Sequence, residues 1–291
     1  MEEFVRLSVS ALLLAGLYAI MAYGLGLIYG VLRVVNLAHA GVIMAAAYLT
    51  WVFHNRLGLD PYLSIPLVLL AFFGFGVVLF KGLVRFLPRG AAGGVQSLLL
   101  LFGVWLLMRN AAYLLFTGND KAIRTGYSTK SVSLLGTAVG LNRVIVFLIA
   151  IVVLAALHLF LTRTYSGKSI RAVAQNPDSC TIVGIDVERT FAITFGIGTA
   201  LGGLAGLLLS TIFAFNPAAG AVELLKSFVI VVLGGLGSVV GIALGALVLA
   251  AAESFSILVM PSYLTGAVGF VLLVLVLVVR PSGLFGHRVL G

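Results

Sequence analysis

The chain has 291 residues, of which 62% are hydrophobic and only 9% charged, and its mean hydropathy is +1.21. Soluble globular domains carry roughly 45–50% apolar and about 25% charged residues. The composition therefore excludes a soluble enzyme, a disordered chain, a disulfide scaffold and a coiled coil, and it predicts an all-α, polytopic membrane protein.

The formal charge of +9 comes from 18 Lys and Arg residues against 9 Asp and Glu residues. The basic residues mostly flank the apolar runs, where they set topology and meet anionic lipid head groups. No basic domain or platform of aromatic and basic residues stands outside those runs, so we expect membrane lipid and no nucleic acid as a partner. The single cysteine, Cys180, allows no intrachain disulfide.

Apolar runs of about 20 residues, the length that crosses a bilayer, recur along the whole chain. The first is 25 residues long, which is too long for a cleavable signal core, so we read it as a membrane helix. We expect about eight segments in a single transmembrane permease domain over residues 1–291. They are Ser8–Leu32, Val34–Phe53, Pro61–Phe80, Gly90–Met108 (continuing to about Phe116), Val144–Leu161, Phe191–Val222, Ser227–Ala252 and Ser254–Val279.

Three of these segments contain helix breakers. The sixth is broken at Asn216-Pro217 and the eighth at Met260-Pro261. The seventh carries Gly234–Ser238 in its middle, and this sequence leaves two alternatives open: two short half-helices, or one continuous and closely packed helix. If this segment re-enters, the loop charges place ten basic residues on the inside and seven, including Lys226, on the outside. That bias favours a re-entrant segment, an outside N-terminus and a cytoplasmic C-terminus.

The longest charged stretch outside the apolar runs is 164–190. Its Gly167-Lys168-Ser169 looks like the end of a phosphate-binding loop, but Thr162 stands where the first glycine is needed and no sheet strand precedes it. We therefore expect no ATP site in this chain.

The same stretch predicts two short helices. Ser166 or Gly167 starts the first, Lys168–Gln175, and Asn176-Pro177 ends it. Asp178 caps the second helix and Gly184 closes it, after which Asp186 caps the next span. Short helices need a surface to dock on, and the residues leave a partner protein and the lipid head groups as equal alternatives.

The junction of the first two apolar runs carries three polar residues at membrane depth. We expect the long side chain of Arg33 to extend its charge to the membrane surface. For Asn36 and His39 we expect a functional role, because polar groups at membrane depth usually face a cavity or a partner. Gly234, Gly235, Gly237 and Ser238 are the other candidates for a translocation pathway, since consecutive glycines free backbone groups to line one. The glycines spaced four apart elsewhere are read as helix packing.

Glu253 lies beside the long apolar runs and could relay protons, although the sequence shows no second acid near it. The four histidines are scattered, and no metal-ligand cluster, nucleophilic triad or carboxylate pair is visible. We therefore expect a transport protein rather than an enzyme.

At four places the sequence resembles the permeases of branched-chain amino acid ABC importers, specifically the LivH-type half. The residues that carry the resemblance are Leu27–His39, Gly167–Asn176 with Val183-Gly184-Ile185, Lys226–Ser238 with Gly241 and Gly245, and Arg280–Gly286. One difference is that Ala40-Gly41 follows His39, where the family often has glycine and then an acid.

The resemblance implies a membrane subunit of a bacterial importer in the inner membrane. Its implied partners are a second, LivH- or LivM-type permease subunit, cytoplasmic ATPase subunits that bind ATP and Mg²⁺, and a periplasmic solute-binding protein. The segment 164–190 would be the cytoplasmic coupling loop that docks on the ATPase, through Gly167, Arg171, Ala172, Gln175, Asn176 and Gly184.

The function predicted is an ATP-driven, binding-protein-dependent permease for branched-chain or other hydrophobic amino acids, with no cofactor in this chain. The alternative is a stand-alone secondary transporter or channel for a small polar solute, and it rests on Glu253 and the broken helices. An intramembrane enzyme is a third class, against which the lack of a catalytic constellation argues.

Overall fold

The computed structural model describes residues 2–88, 91–235, 239–261, 264–280 and 283. Within them the chain folds into eleven α-helices and one small β-hairpin. The elements are α1 (Glu2–Leu32), α2 (Ala38–Leu57), α3 (Ile65–Gly82), α4 (Ala91–Phe116), β1 (Ser131–Leu134), β2 (Thr137–Gly140), α5 (Leu141–Arg163), α6 (Tyr165–Gln175), α7 (Pro177–Ile182), α8 (Val187–Ile212), α9 (Ala219–Gly234), α10 (Val239–Ser256) and α11 (Thr265–Val279).

Among the residues that the structure describes, five helical stretches are long and apolar enough to cross a membrane: Glu2–Leu32, Ile65–Phe86, Gly94–Phe116, Leu141–Arg163 and Val187–Ile212. Val240–Ser256 and Thr265–Val279 are shorter apolar helices. The all-α, polytopic fold class is therefore confirmed, and the number of eight spans stays a prediction.

The two central helices are α1 and α8, most of whose residues are buried, whereas α4 and α5 lie at the periphery with few of theirs buried. Close contact between α1, α2 and α8 is possible because glycines line it. A Cβ at Gly198 would lie 2.6 Å from the Gly24 carbonyl oxygen, and one at Gly206 would overlap the Ile43 carbonyl oxygen. For Gly198 and Gly206, two of the glycines spaced four apart, the packing interpretation is confirmed.

The helix breaks fall where glycine and proline predict them, but the elements between them differ from the prediction. The sixth segment ends at Ile212, and α9 begins only at Ala219, after the Asn216-Pro217 break. Lys226 therefore lies within α9, and its placement in a loop was wrong.

The seventh segment is two helices, α9 and α10, and the alternative of one continuous helix was wrong. A Cβ at Gly234 would overlap the Gly241 carbonyl, and one at Gly245 would lie 2.7 Å from the Ile230 carbonyl oxygen. These two contacts pair the helices antiparallel, so α9 and α10 form a helical hairpin.

The β-hairpin was not predicted. Its strands pair from Ser131 with Gly140 to Leu134 with Thr137, and Leu135 and Gly136 both have positive φ angles, of 52° and 80°. Two left-handed residues in a two-residue loop form the type I′ turn that suits a tight hairpin. Because Leu stands at position 135, the sequence lacks the Asn-Gly pair that usually predicts such a turn.

Candidate translocation and coupling sites

The segment 164–190 forms two short helices, as predicted, but with different caps. Thr164 caps α6, and its hydroxyl accepts a hydrogen bond of 3.0 Å from the Gly167 backbone N–H. Asn176 caps α7 in the same way, accepting from the Ser179 N–H at 3.0 Å. The predicted start at Ser166 or Gly167 and the cap at Asp178 were wrong, because the capping side chain precedes the first helical turn.

The end of this segment follows the prediction. Gly184 has a φ of +81°, the left-handed conformation that closes a helix end, and the Ile185 N–H donates to the Cys180 carbonyl at 3.0 Å. Asp186 caps α8 by accepting from the Arg189 N–H at 2.9 Å.

One face of α6 attaches the segment to the helix bundle. Ile170 and Val173 are fully buried, and a Cβ at Gly167 would overlap the Phe160 carbonyl oxygen at the end of α5. Gly167 therefore has a packing role here, because any side chain at this position would collide with the backbone of α5.

The opposite face is exposed. Of the residues predicted to couple to an ATPase, Arg171, Gln175, Asn176 and Gly184 are exposed and Ala172 is half-buried. Tyr165, Ile182 and Val183 are also exposed, by 77%, 87% and 74%. We name these three the coupling surface. Ile182 was not among the residues predicted from the sequence, because its exposure depends on which face of α7 the bundle covers.

Asn36 and His39 lie together where the chain turns from α1 into α2. Both side chains are buried, by 99% and 100%. The Nε2 atom of His39 lies 3.0 Å from the Met21 carbonyl oxygen, whereas its Nδ1 atom and both polar atoms of the Asn36 amide have no hydrogen-bond partner. Buried polar atoms are almost always paired, so three unpaired atoms at one junction are unusual and point to a role beyond packing.

The walls beside His39 are glycines. A Cβ at Gly24 or at Gly202 would come within 2.9 Å or 2.6 Å of the His39 Cε1 atom. Gly24 on α1 and Gly202 on α8 therefore leave the room that the imidazole ring occupies.

The glycine-rich candidates lie in a different place. Gly234 and Gly235 end α9 at the tip of the hairpin, where Gly235 has a φ of +82°. The hairpin touches α1 at Gly26, whose Cβ would lie 2.6 Å from Ile242. Gly24 and Gly26 face nearly opposite sides of α1, so the two candidate groups flank that helix. Gly237 and Ser238 lie outside the described residues.

Among the cavities between the coupling segment (residues 164–190) and the helix bundle, two border α1. One of about 550 Å³ is lined by Arg33, Arg85, Pro177 and Glu188 among others, with Arg85 and Glu188 paired at 3.3 Å. The second, of about 270 Å³, is lined by Arg171 together with residues of α1, α5 and α10. A displacement of α6 or α7 would therefore change the space next to α1 and the hairpin.

Glu253 is not isolated, which corrects the expectation that no second acid lies near it. Its Oε2 atom accepts a short hydrogen bond from the Tyr18 hydroxyl, which in turn accepts one of 2.9 Å from the Lys226 ammonium group. Lys226 also lies 3.6 Å from the Glu223 carboxylate. Tyr18, Glu223, Lys226 and Glu253, which we name the ionic cluster, join α1, α9 and α10.

Residues 7–277 match the family model described as the permease component of branched-chain amino acid transport systems. The chain belongs to this family. It is 30% identical to the high-affinity branched-chain amino acid permease protein BraD of Pseudomonas aeruginosa, over 98% of this chain and 96% of the relative. It is 26% identical to the corresponding LivH of Escherichia coli K12, with the same coverage.

A further relative matches only part of the chain. The xylose permease protein XylH of Haemophilus influenzae is 36% identical over 48% of this chain and 40% of its own length. No solved structure matches the chain. The family membership identifies a multi-pass membrane permease subunit of an ABC importer, and ATP is hydrolysed in a separate subunit.

Proposed function

We propose that this chain forms part of the translocation pathway of an importer for branched-chain or other hydrophobic amino acids. The similarity to BraD and LivH over nearly the whole chain supports that substrate class. The partial similarity to a xylose permease makes a small sugar the alternative to be tested. Because a separate binding protein selects the solute in such a system, the permease needs few specific contacts with it.

The proposed partners are a second permease subunit, two cytoplasmic ATPase subunits carrying ATP and Mg²⁺, and a periplasmic solute-binding protein. The single observation that carries the ATPase interface is the coupling surface, three large apolar side chains exposed on a segment outside the membrane-spanning helices. Exposed apolar clusters of this kind are typical of protein interfaces.

The coupling mechanism follows from how this segment is attached. The buried face of α6 packs against the end of α5, so movement of a docked ATPase would displace the segment as a unit. The cavities beside Pro177 and Arg171 would then change shape and alter access to the α1–α2 junction and to the hairpin. The solute would pass near Asn36 and His39, whose unpaired polar atoms supply hydrogen bonds to a polar group.

The proposed location is the inner membrane, with the coupling segment and the C-terminus on the cytoplasmic side. Gly283 packs against Gly235 at the hairpin tip, and Val240 near that tip shares a cavity with Arg171 of α6. This proximity supports a C-terminus on the same side as the coupling segment. Assigning Lys226 to the ionic cluster also removes one basic residue from the outside and strengthens the charge bias.

The test of the coupling surface is the double variant Ile182→Asp with Val183→Asp. The permease, its ATPase and its binding protein are reconstituted in proteoliposomes, and leucine uptake and ATP hydrolysis are measured together. An interface hot spot is worth about 2 kcal/mol or more, so we expect ATPase binding to weaken by roughly 30-fold and uptake to be lost.

The control for this experiment is Leu135→Asp. Leu135 is also an exposed apolar residue, but it lies in the β-hairpin, and its left-handed backbone accepts aspartate. We expect the permease with Leu135→Asp to take up leucine at the wild-type rate. Normal coupled uptake by the double variant would overturn the proposed interface, and uptake of xylose instead of leucine would overturn only the substrate class.

A further inference from the structure

The ionic cluster carries more negative than positive charge in a buried place. Glu253 is 92% buried and Tyr18 is 97% buried, and the side chains of Glu223 and Lys226 are only 13% and 21% exposed. One lysine stands against two carboxylates, so one negative charge is left without compensation. An uncompensated buried charge is strongly unfavourable unless a proton or another cation neutralises it.

Two oxygen atoms in the cluster have no partner. Glu253 Oε1 and Glu223 Oε2 are both buried and accept no hydrogen bond, while the other oxygen of each carboxylate is engaged by Tyr18 or Lys226. The chain of contacts thus runs Glu253–Tyr18–Lys226–Glu223 and has a vacant acceptor at each end. Such oxygens are the ligands that protons and hard cations take.

No other charged group of the described structure compensates them. The contacts of the cluster come from α1, α9 and α10, and α11, which packs on the hairpin, has no titratable residue over Thr265–Val279. On α2, which packs on α9, the histidines His39 and His54 each lie beside a backbone carbonyl oxygen and Arg56 is exposed. The remaining charged residues of α1, namely Glu2, Glu3 and Arg6, are exposed near its N-terminus, where Glu3 and Arg6 pair with each other.

We propose that one of the two vacant carboxylate oxygens, Glu223 Oε2 or Glu253 Oε1, holds one monovalent cation, either a proton or an alkali-metal ion, between α1, α9 and α10. Bound there, the cation holds the α9–α10 hairpin against α1, because it removes the repulsion between two carboxylates carried by the two helices of the hairpin. This assignment is independent of the substrate, and it requires no ion gradient to drive transport.

The experiment measures the unfolding temperature of the purified permease in detergent at constant ionic strength. In one arm choline chloride is replaced by sodium, potassium or lithium chloride, and in the other the pH is varied from about 5 to 9 in choline chloride. An alkali-ion site gives an unfolding temperature that rises with one of the alkali ions. A proton site gives one that falls as pH rises, with no effect of the alkali ions.

The variants Glu223→Gln and Glu253→Gln each remove the uncompensated charge while keeping the side-chain shape. We expect either one to lose the wild-type response and to keep ATP-driven uptake. Lys226→Met leaves both carboxylates uncompensated, so its response should be larger than that of the wild type. The glutamine variants should weaken the response of the unfolding temperature and Lys226→Met should strengthen it. A single misfolded variant therefore does not decide the outcome.

The matched control is Glu3→Gln. Glu3 and Arg6 form an acid–base pair with the same i,i+3 spacing as Glu223 and Lys226, but theirs is exposed. This control should respond as the wild type does. The proposal is overturned if the wild type responds to neither pH nor alkali ions, or if the glutamine variants at 223 and 253 respond as strongly as the wild type.

Discussion

Gly206 shows how one missing side chain brings two helices together. It lies on α8 where a Cβ would overlap the Ile43 carbonyl oxygen of α2, and backbone atoms cannot rotate away as a side chain can. Overpacking a tight contact costs about 1–3 kcal/mol.

We therefore expect Gly206→Ala to lower the unfolding temperature and the yield of folded permease. Gly74→Ala is the matched control, since Gly74 is also helical but has nothing within 4 Å of its Cβ position. Alanine at 74 should be neutral or slightly stabilising, because alanine is the better helix former. Equal stability of the two variants would contradict the tight α2–α8 contact.

A variant of Asn36 can distinguish a role in stability from a role in transport. Its amide is buried without a partner, so the apolar variant Asn36→Leu removes a desolvation cost of about 1–3 kcal/mol. We expect Asn36→Leu to be at least as stable as the wild type and yet to take up leucine more than about tenfold more slowly, because about 1.4 kcal/mol of lost transition-state stabilisation is a factor of ten.

A control for that variant is Asn142→Leu. The Asn142 amide is buried too, and its Oδ1 atom also lacks a partner, but its Nδ2 atom donates a 2.8 Å hydrogen bond to the Thr211 carbonyl oxygen. We expect this variant to lose stability, by about 1 kcal/mol. If Asn36→Leu transports at the wild-type rate, Asn36 does not belong to the pathway.

Tyr127 ties two loops together outside the membrane-spanning helices. Its hydroxyl donates a 2.6 Å hydrogen bond to Asp60, and its ring stacks on Tyr62 at 5.8 Å. Burial, together with the hydrogen bond to Asp60, raises the pKa of the Tyr127 hydroxyl.

A raised tyrosine pKa fixes the direction of the pH dependence. Below the unfolded value of about 10 the hydroxyl is neutral in both states, and above it the unfolded chain ionises first. The contribution of Tyr127 to stability is therefore constant from pH 7 to 9 and is lost as the pH rises beyond about 10. Tyr127→Phe should be less stable at pH 7 and fall less steeply above pH 10, as chemical denaturation would measure.

At the scale of the helices, local signals predicted much of the fold. Asn216-Pro217, Gly234-Gly235 and Gly184 each act through the backbone at their own positions, so the sequence is enough to locate the breaks. The helix caps were displaced by two residues because Thr164 and Asn176 compete with nearby polar residues for the same role. Competing caps are decided by tertiary packing, here that of Gly167 on α5.

The candidate sites were predictable only where their residues are close in sequence. Asn36 and His39 were found because they share one turn of chain. The hydrogen bond between Tyr18 and Glu253 joins residues 235 positions apart, and nothing local predicts it. Ile182 was missed for a related reason: its exposure depends on which face of α7 the bundle covers.

At the scale of the whole molecule, the buried centre of α1 and α8 contrasts with the exposed apolar faces of α4, α5 and α11. A membrane protein meets lipid or partner subunits on such faces. The coupling surface lies outside that arrangement, on a segment with a low apolar content and a buried inner face. We therefore expect the segment 164–190 to be the place where an ATPase binds.

The measurement that tests this claim most directly is co-purification from native membranes. The tagged chain and the Ile182→Asp, Val183→Asp double variant are captured after gentle solubilisation, and the retained proteins are identified and assayed for ATP hydrolysis. We predict that the wild type retains an ATPase and a second permease in stoichiometric amounts, and that the double variant retains the permease but loses the ATPase. A wild-type chain that purifies alone and carries out uptake driven by an ion gradient, without ATP, would contradict the account.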